Sequence, residues 1–164
     1  MKIQTKSDLD QMKERGLKSL YPKGTKISVG MATCGLSTGA GEVFEAIKKE
    51  VEKRKLPIQV NQTGCIGFCQ REPLVDILEP GKPRIFYQEV TPEKAVTFVR
   101  EWAENKVVKD WLFCKMEKED FIAEDRFWEH PIQRLPEGLD GTPHYHQVPF
   151  YSKQLKIALR NCGF

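Results

Sequence analysis

From Ser7 to Leu20 the chain sets Leu9, Met12, Leu17 and Leu20 among charged residues at helical spacing, with Ser7 placed as an N-cap. This predicts a short amphipathic helix, broken by Tyr21-Pro22-Lys23-Gly24. Thr25 to Met31 then reads as a buried strand, with Ile27 and Val29 on one face. Thr33 to Gly41 is rich in Gly, Ser and Thr and reads as a loop whose far end caps a helix from about Ala40 to Lys55. In that helix Val43, Ile47 and Val51 fall four apart beside Ala40 and Phe44, while Glu and Lys fill the other face. Each fully buried aliphatic or Phe side chain is worth about 1.5 to 3 kcal/mol, so the stripe outweighs any propensity in the segment. Leu56-Pro57 ends it, and Pro57 to Gln62 follows as a second strand with Ile58 and Val60 facing inward.

After the loop Thr63 to Cys69, a third strand is expected over Pro73 to Leu78 and a fourth over Arg84 to Glu89. The turn Glu79-Pro80-Gly81-Lys82-Pro83 between them makes the pair a hairpin. Thr91-Pro92-Glu93 combines an N-cap, a proline at the first helical position and an acid in the first turn. The helix it opens runs to about Asn105, with Ala95, Val99, Trp102 and Ala103 inward. The order helix, strand, helix, strand, strand, strand, helix describes an α/β sandwich.

Past Lys106 the periodicity fades. Residues 107 to 150 carry Trp111, Phe113, Phe121, Phe127, Trp128, Tyr145 and Phe150 among scattered prolines, and read as an extended arm anchored on another surface through Trp111, Phe113, Phe127 and Trp128. A short helix around Glu117 to Glu129 is the one element expected there. Leu155, Ile157 and Leu159 restore periodicity near the end, as if a further domain began at residue 151. The predicted division is an N-terminal helix over 1–24, a core domain over 25–106, the arm over 107–150, and the start of a following domain over 151–164.

Composition narrows the function. The 164 residues suffice for one domain with an extension, and no apolar run approaches the roughly 20 residues of a membrane span. Its 26 basic and 23 acidic residues are interspersed, so no basic block addresses nucleic acid. The first eleven residues have no apolar stretch of the kind that directs export, which suggests a cytoplasmic chain. Five cysteines in a reducing compartment point to metal or redox chemistry at a subset of them.

Cys34 follows the first predicted strand, and Cys65 and Cys69 follow the second. Parallel neighbouring strands would deliver all three to one edge of the sheet, where α/β folds place their chemistry. Gly35, Gly64 and Gly67 lie beside them and let the backbone fold round an inorganic centre and aim N–H groups at sulfur. The competing reading is that each is a small buried hydrophobe. His130, His144 and His146 sit in the aromatic arm as surface contacts rather than zinc ligands, and the loop Gly35 to Gly41 lacks the endings of a nucleotide-binding loop.

The words VGMATCG at Val29 to Gly35, TGCIGFC at Thr63 to Cys69 and EPLVDI at Glu72 to Ile77 carry a resemblance. From Lys26 to about Lys106 the chain resembles the thioredoxin-like 2Fe-2S ferredoxin domain at the N-terminus of the NADH-binding flavoprotein subunit of complex-I-like enzymes, a group that includes electron-bifurcating hydrogenases, transhydrogenases and formate dehydrogenases. The tail Pro149 to Gly163 is similar to the segment leading into the FMN and NADH module of those subunits. The resemblance implies a thioredoxin-like sandwich and a 2Fe-2S cluster on Cys34, Cys65 and Cys69. It implies further that FMN, NAD(P) and 4Fe-4S groups belong to the remainder of a longer chain, and that the partners are other subunits of a multisubunit redox complex and a ferredoxin. One departure stands out: the family places another cysteine five positions before Cys34, where this chain has Val29. A 2Fe-2S cluster takes four ligands, so three thiolates leave one iron open or borrowing.

Three readings follow. In the first, this is an electron-transfer domain of an NAD(P)H-linked oxidoreductase, with no catalytic residue of its own in this stretch. In the second it is a docking module that has lost its cluster. In the third, Cys65 and Cys69 work as a redox dithiol, against which stands their C-x3-C spacing in place of C-x-x-C.

Overall fold

The computed structural model describes residues 2–117, 132, 135–155 and 157. α1 (Lys6–Leu20) begins one residue earlier than expected, because Thr5 and not Ser7 is its N-cap and forms a capping box with Asp8. None of its residues is buried, and Leu9 and Met12 stay exposed. β1 (Thr25–Gly30) follows, buried from its second residue onward. The expected loop over 33–41 holds instead a one-turn helix, α2 (Thr33–Ser37), closed by Thr38 and the left-handed Gly39. Its Ser and Thr satisfy the helix's last carbonyls: Ser37 and Thr38 both donate to the carbonyl of Cys34.

α3 (Ala40–Arg54) buries Ala40, Val43, Ile47 and Val51, as its spacing predicts. It also buries Glu50, which an i,i+4 ion pair with Arg54 makes tolerable. β2 (Ile58–Thr63) runs parallel to β1, with Ile27 opposite Val60. β3 (Val75–Leu78) and β4 (Arg84–Tyr87) form the expected hairpin, each shorter than predicted, and β3 lies antiparallel to β1. α4 (Pro92–Ala103) buries Ala95, Phe98, Val99 and Trp102. Phe98 takes the inward place expected of Ala103, which is exposed: positions 95, 98, 99 and 102 are the ones that share a face at 3.6 residues per turn.

The arm expected over 107–150 is, over much of its described length, part of the domain. Leu112–Met116 forms β5 beside β4, completing a five-stranded sheet in the order β2-β1-β3-β4-β5. Tyr145–Gln147 makes a single 3-10 turn, and α5 (Pro149–Ser152) follows it. Trp111 and Phe113 therefore pack on this chain's own sheet, Trp111 against the helical face and Phe113 against the other. Phe121, Phe127, Trp128, the helix expected around Glu117 to Glu129, His130 and Cys162 lie outside the described residues.

Two cores result, one on each face of the sheet. Ile27, Val29, Val75, Ile77, Ile85 and Tyr87 meet α3 and α4 on the first. On the second, Leu74, Phe86, Cys114 and Met116 pack with Ile66, Phe68, Tyr145, Val148 and Tyr151. The strict alternation of Val75, Ile77, Ile85 and Tyr87 with Leu74 and Phe86 is what lets one sheet carry both. A buried ion pair, Arg84 Nε to Asp76 Oδ1 at 2.8 Å, links β4 to β3.

Candidate metal centre

The ends of β1 and β2 define the site. The Gly30 N–H donates to the Leu74 carbonyl and the Met31 N–H to the Thr63 carbonyl, so the two chains leave the sheet tied side by side. Cys34 follows as the second residue of α2. A Cβ added at Gly35 would sit 2.2 Å from the Gly30 carbonyl oxygen, so only glycine lets α2 close down on the end of β1 and fix Cys34 there.

Cys65 and Cys69 come from the opposite loop, with their sulfurs 3.6 Å apart. Gly67, at φ +91°, turns the loop in the left-handed region and aims its N–H at Cys65 Sγ, 3.1 Å away. Hydrogen bonds with Cys34 and then Cys65, together with partial burial, push the Cys69 thiol up to about 12. Cys65 and Cys69 thus share a hydrogen bond on one loop, while Cys34 stands on the loop that follows the neighbouring strand. Cys69 is exposed and the other two are half-buried.

Two sulfurs sharing one tetrahedral ion at metal–sulfur distances of about 2.3 Å stand roughly 3.8 Å apart, close to the Cys65–Cys69 separation. Among the described residues, however, no group of three or more His, Cys, Asp or Glu side chains forms a ready ligand set. Cys34, Cys65 and Cys69 are free thiols, and the last two share a hydrogen bond. Val29, where the resembled family has its further cysteine, is fully buried in the core beneath α3 and α4. Cys114 lies apart, fully buried in the second core, where desolvation pushes its thiol up.

Sequence reasoning missed two features of the site. Phe68, next to Cys69, stacks on Phe113 of β5 at 4.6 Å between centroids and leans on Phe150 at 5.0 Å, so the cysteine loop is held by residues far along the chain. Glu72 is also buried, at 7% exposed, beside Cys65 and under Gly30. The motif containing it was visible, but nothing in a lone Glu-Pro signals burial. His144 Nε2 stands 3.4 Å from Glu117 Oε1.

No family model matches the chain. Among solved structures, the chain is similar to a thioredoxin-like [2Fe-2S] ferredoxin from Aquifex aeolicus at a TM-score of 0.50 and 19% identity, over 57% of this chain and 93% of that one. The fold is therefore the thioredoxin-like 2Fe-2S ferredoxin fold, as the resemblance implied. Among curated proteins, the 2Fe-2S ferredoxin of Clostridium pasteurianum is 33% identical over 76 residues, 44% of this chain and 72% of the ferredoxin. The chain belongs to that ferredoxin's family. It is also homologous to the NADP-reducing hydrogenase subunit HndB of Solidesulfovibrio fructosivorans, at 34% identity over 79 residues, 48% of this chain. The match spans 63% of that subunit's length. Among the described residues, no helix is long and apolar enough to cross a membrane.

Proposed function

We propose that Cys34, Cys65 and Cys69 hold a 2Fe-2S cluster and that the chain carries single electrons within a multisubunit NAD(P)H-linked oxidoreductase of the cytoplasm. The observation that carries this reading is the 3.6 Å approach of Cys65 and Cys69, a separation suited to one iron, on the loop beside the one that holds Cys34. The donors on hand are three thiolates, one short of the four ligands a 2Fe-2S cluster takes, and they do not form a ready ligand set among the described residues. Kinship with a 2Fe-2S ferredoxin supports the cofactor, and kinship with a subunit of an NADP-reducing hydrogenase supports the multisubunit setting.

A bound cluster would supply one-electron transfer at a potential set by its ligands, their hydrogen bonds and its exposure. The chain's own part is to bind and orient. Gly67 donates its N–H to Cys65 Sγ, and Gly35 lets α2 hold Cys34 against β1. Phe68, clamped by Phe113 and Phe150, keeps an apolar wall beside Cys69. Binding iron requires the thiols to give up their protons, so the raised Cys69 thiol makes loading pH-dependent. Hydride chemistry and flavin belong elsewhere in the complex, since the described residues carry no phosphate-binding glycine motif.

Val29 in the strand core favours a second reading, a docking module without a cluster. Anaerobic reconstitution of the full chain with ferrous iron and sulfide separates the two. Two irons and two sulfides per chain, visible charge-transfer absorbance and an electron paramagnetic resonance signal on reduction are expected. A colourless protein retaining no iron after desalting would leave the docking role in its place.

A further inference from the structure

We infer that Cys65 and Cys69 form a reversible dithiol–disulfide pair, a modification site that a small-molecule disulfide of the glutathione class closes and a dithiol reductant reopens. The two sulfurs stand 3.6 Å apart and share a hydrogen bond, while both thiols are free. A disulfide holds its sulfurs at about 2.05 Å, so closure asks for a movement of roughly 1.5 Å. Cys69 is exposed, so a change of rotamer there meets solvent rather than packed core. The backbone between the two cysteines suits the closure. Gly67 turns at φ +91°, and a Cβ at Gly64 or Gly67 would meet nothing within 4 Å, so the loop has open space beside it. The Gly67 N–H donates to Cys65 Sγ at 3.1 Å, which fixes that sulfur in place. Phe68, stacked on Phe113 at 4.6 Å, holds the loop against the sheet and keeps the pair together.

The C-x3-C spacing bears on thioredoxin-type catalysis, where a helix N-terminus activates a C-x-x-C thiol, and not on whether two sulfurs can meet. Here the left-handed turn at Gly67 lets them meet. One thiol of the pair gives up its proton and attacks the small disulfide. A protein–small-molecule disulfide forms, the oxidant's own S–S bond breaks, and one small thiol leaves carrying a proton. The second protein thiol then attacks the protein sulfur of that mixed disulfide. The Cys65–Cys69 bond forms, and the second small thiol leaves with the remaining proton. Two protein thiols are oxidised and one small disulfide is reduced, so electrons balance. A disulfide that ends on an exposed sulfur is of the readily reduced kind, which makes the step reversible. Closure takes two of the three thiols at the strand ends out of use, so iron cannot load until a reductant reopens the loop. Only this consequence rests on the cluster reading above; the closure itself does not.

The test treats the full, iron-free chain with oxidised glutathione under anaerobic conditions, then alkylates it and maps its peptides by mass spectrometry. Free thiols should fall from five to three, with the chain still monomeric and the new bond mapped between Cys65 and Cys69. Because the second sulfur is already beside the first, the glutathione adduct on wild-type protein should stay below roughly a tenth of the chains at any time. Cys65→Ser and Cys69→Ser should instead each keep a stable adduct on the cysteine that remains. Dithiothreitol should restore all five thiols in the wild type. Five thiols persisting, an adduct that accumulates unresolved on wild-type protein, a bond mapped to Cys34 or another cysteine, or a disulfide between two chains would each overturn the pair. The wild-type map decides the matter even if a variant does not fold. Iron uptake by the reduced chain is measured separately, so failure of the cluster reading and failure of this inference are distinct results.

Discussion

Phe68 and Phe113 stack with their ring planes 14° apart, which ties the residue beside Cys69 to a strand that begins more than forty positions later. The aromatic segment after residue 107 therefore serves the site directly. Phe113→Ala removes the stacking partner as well as half-buried apolar area, and should cost about 1 to 3 kcal/mol in urea unfolding. The same change should speed alkylation of Cys65 and Cys69 in the iron-free protein, since their loop loses its clamp. Unaltered alkylation rates would show that the loop holds itself.

Arg84 and Asp76 pair at 2.8 Å with both side chains at most 4% exposed. Asp76→Asn takes away the carboxylate while keeping the volume, leaving a buried guanidinium short of its counter-charge, and should cost about 3 to 5 kcal/mol. A double change to apolar residues of similar size should recover much of that loss. Equal stability of the single variant and wild type would place the pair's worth near that of a surface bridge.

Much of this fold was legible because its elements announce themselves locally. Val43, Ile47 and Val51 repeat at helical spacing, Thr91-Pro92-Glu93 opens α4, and the prolines and glycine of 79–83 join the hairpin. β5 was not legible. Leu112, Phe113, Cys114, Lys115 and Met116 show no polar alternation, because Phe113 also faces apolar partners and Lys115 is largely covered through its ion pair with Glu117. The cysteine loops could be read from chain order alone, since β1 and β2 are parallel neighbours and must deliver their following loops to one edge. Glu72 could not: its burial depends on Gly30 and Leu74 meeting it in space.

Ile47 is fully buried at the centre of the α3 face. Ile47→Ala should lower stability by about 2 to 5 kcal/mol, from lost transfer energy and the cavity left behind. A loss under about 0.5 kcal/mol would mean that the helix packs through another face.

Alkaline pH should unfold the protein early. Burial is the first cause that pushes the Cys114 thiol and the Tyr87 and Tyr145 hydroxyls upward. A group with a raised folded value holds its proton in the native state after the unfolded chain has released it, so stability falls as pH rises. The loss should begin near the ordinary thiol value of about 8.5 and steepen past the ordinary tyrosine value of about 10. Thermal melts from pH 7 to 11 should show the midpoint falling across that window, with a smaller early fall in Cys114→Ala. A flat profile would mean that these groups keep their ordinary values.

Gly35 carries the last prediction, because it decides where Cys34 stands. Its position in α2 is helical and needs no left-handed backbone, so conformational freedom is not the reason for glycine. Space is the reason: the missing Cβ would lie 2.2 Å from the Gly30 carbonyl oxygen and 3.4 Å from Ala40 Cβ. Backbone cannot yield as a flexible side chain does, so Gly35→Ala must lift α2 away from β1. The expected cost is about 1 to 3 kcal/mol or more, with Cys34 shifted away from the end of β1. Gly64→Ala is the control, since a Cβ there meets nothing within 4 Å, although it lies in the same cluster of loops. In reconstituted protein, Gly35→Ala should therefore hold less iron than wild type and Gly64→Ala about as much. Equal iron content in all three would separate the packing of α2 from the position of Cys34, and would remove that thiol from the site.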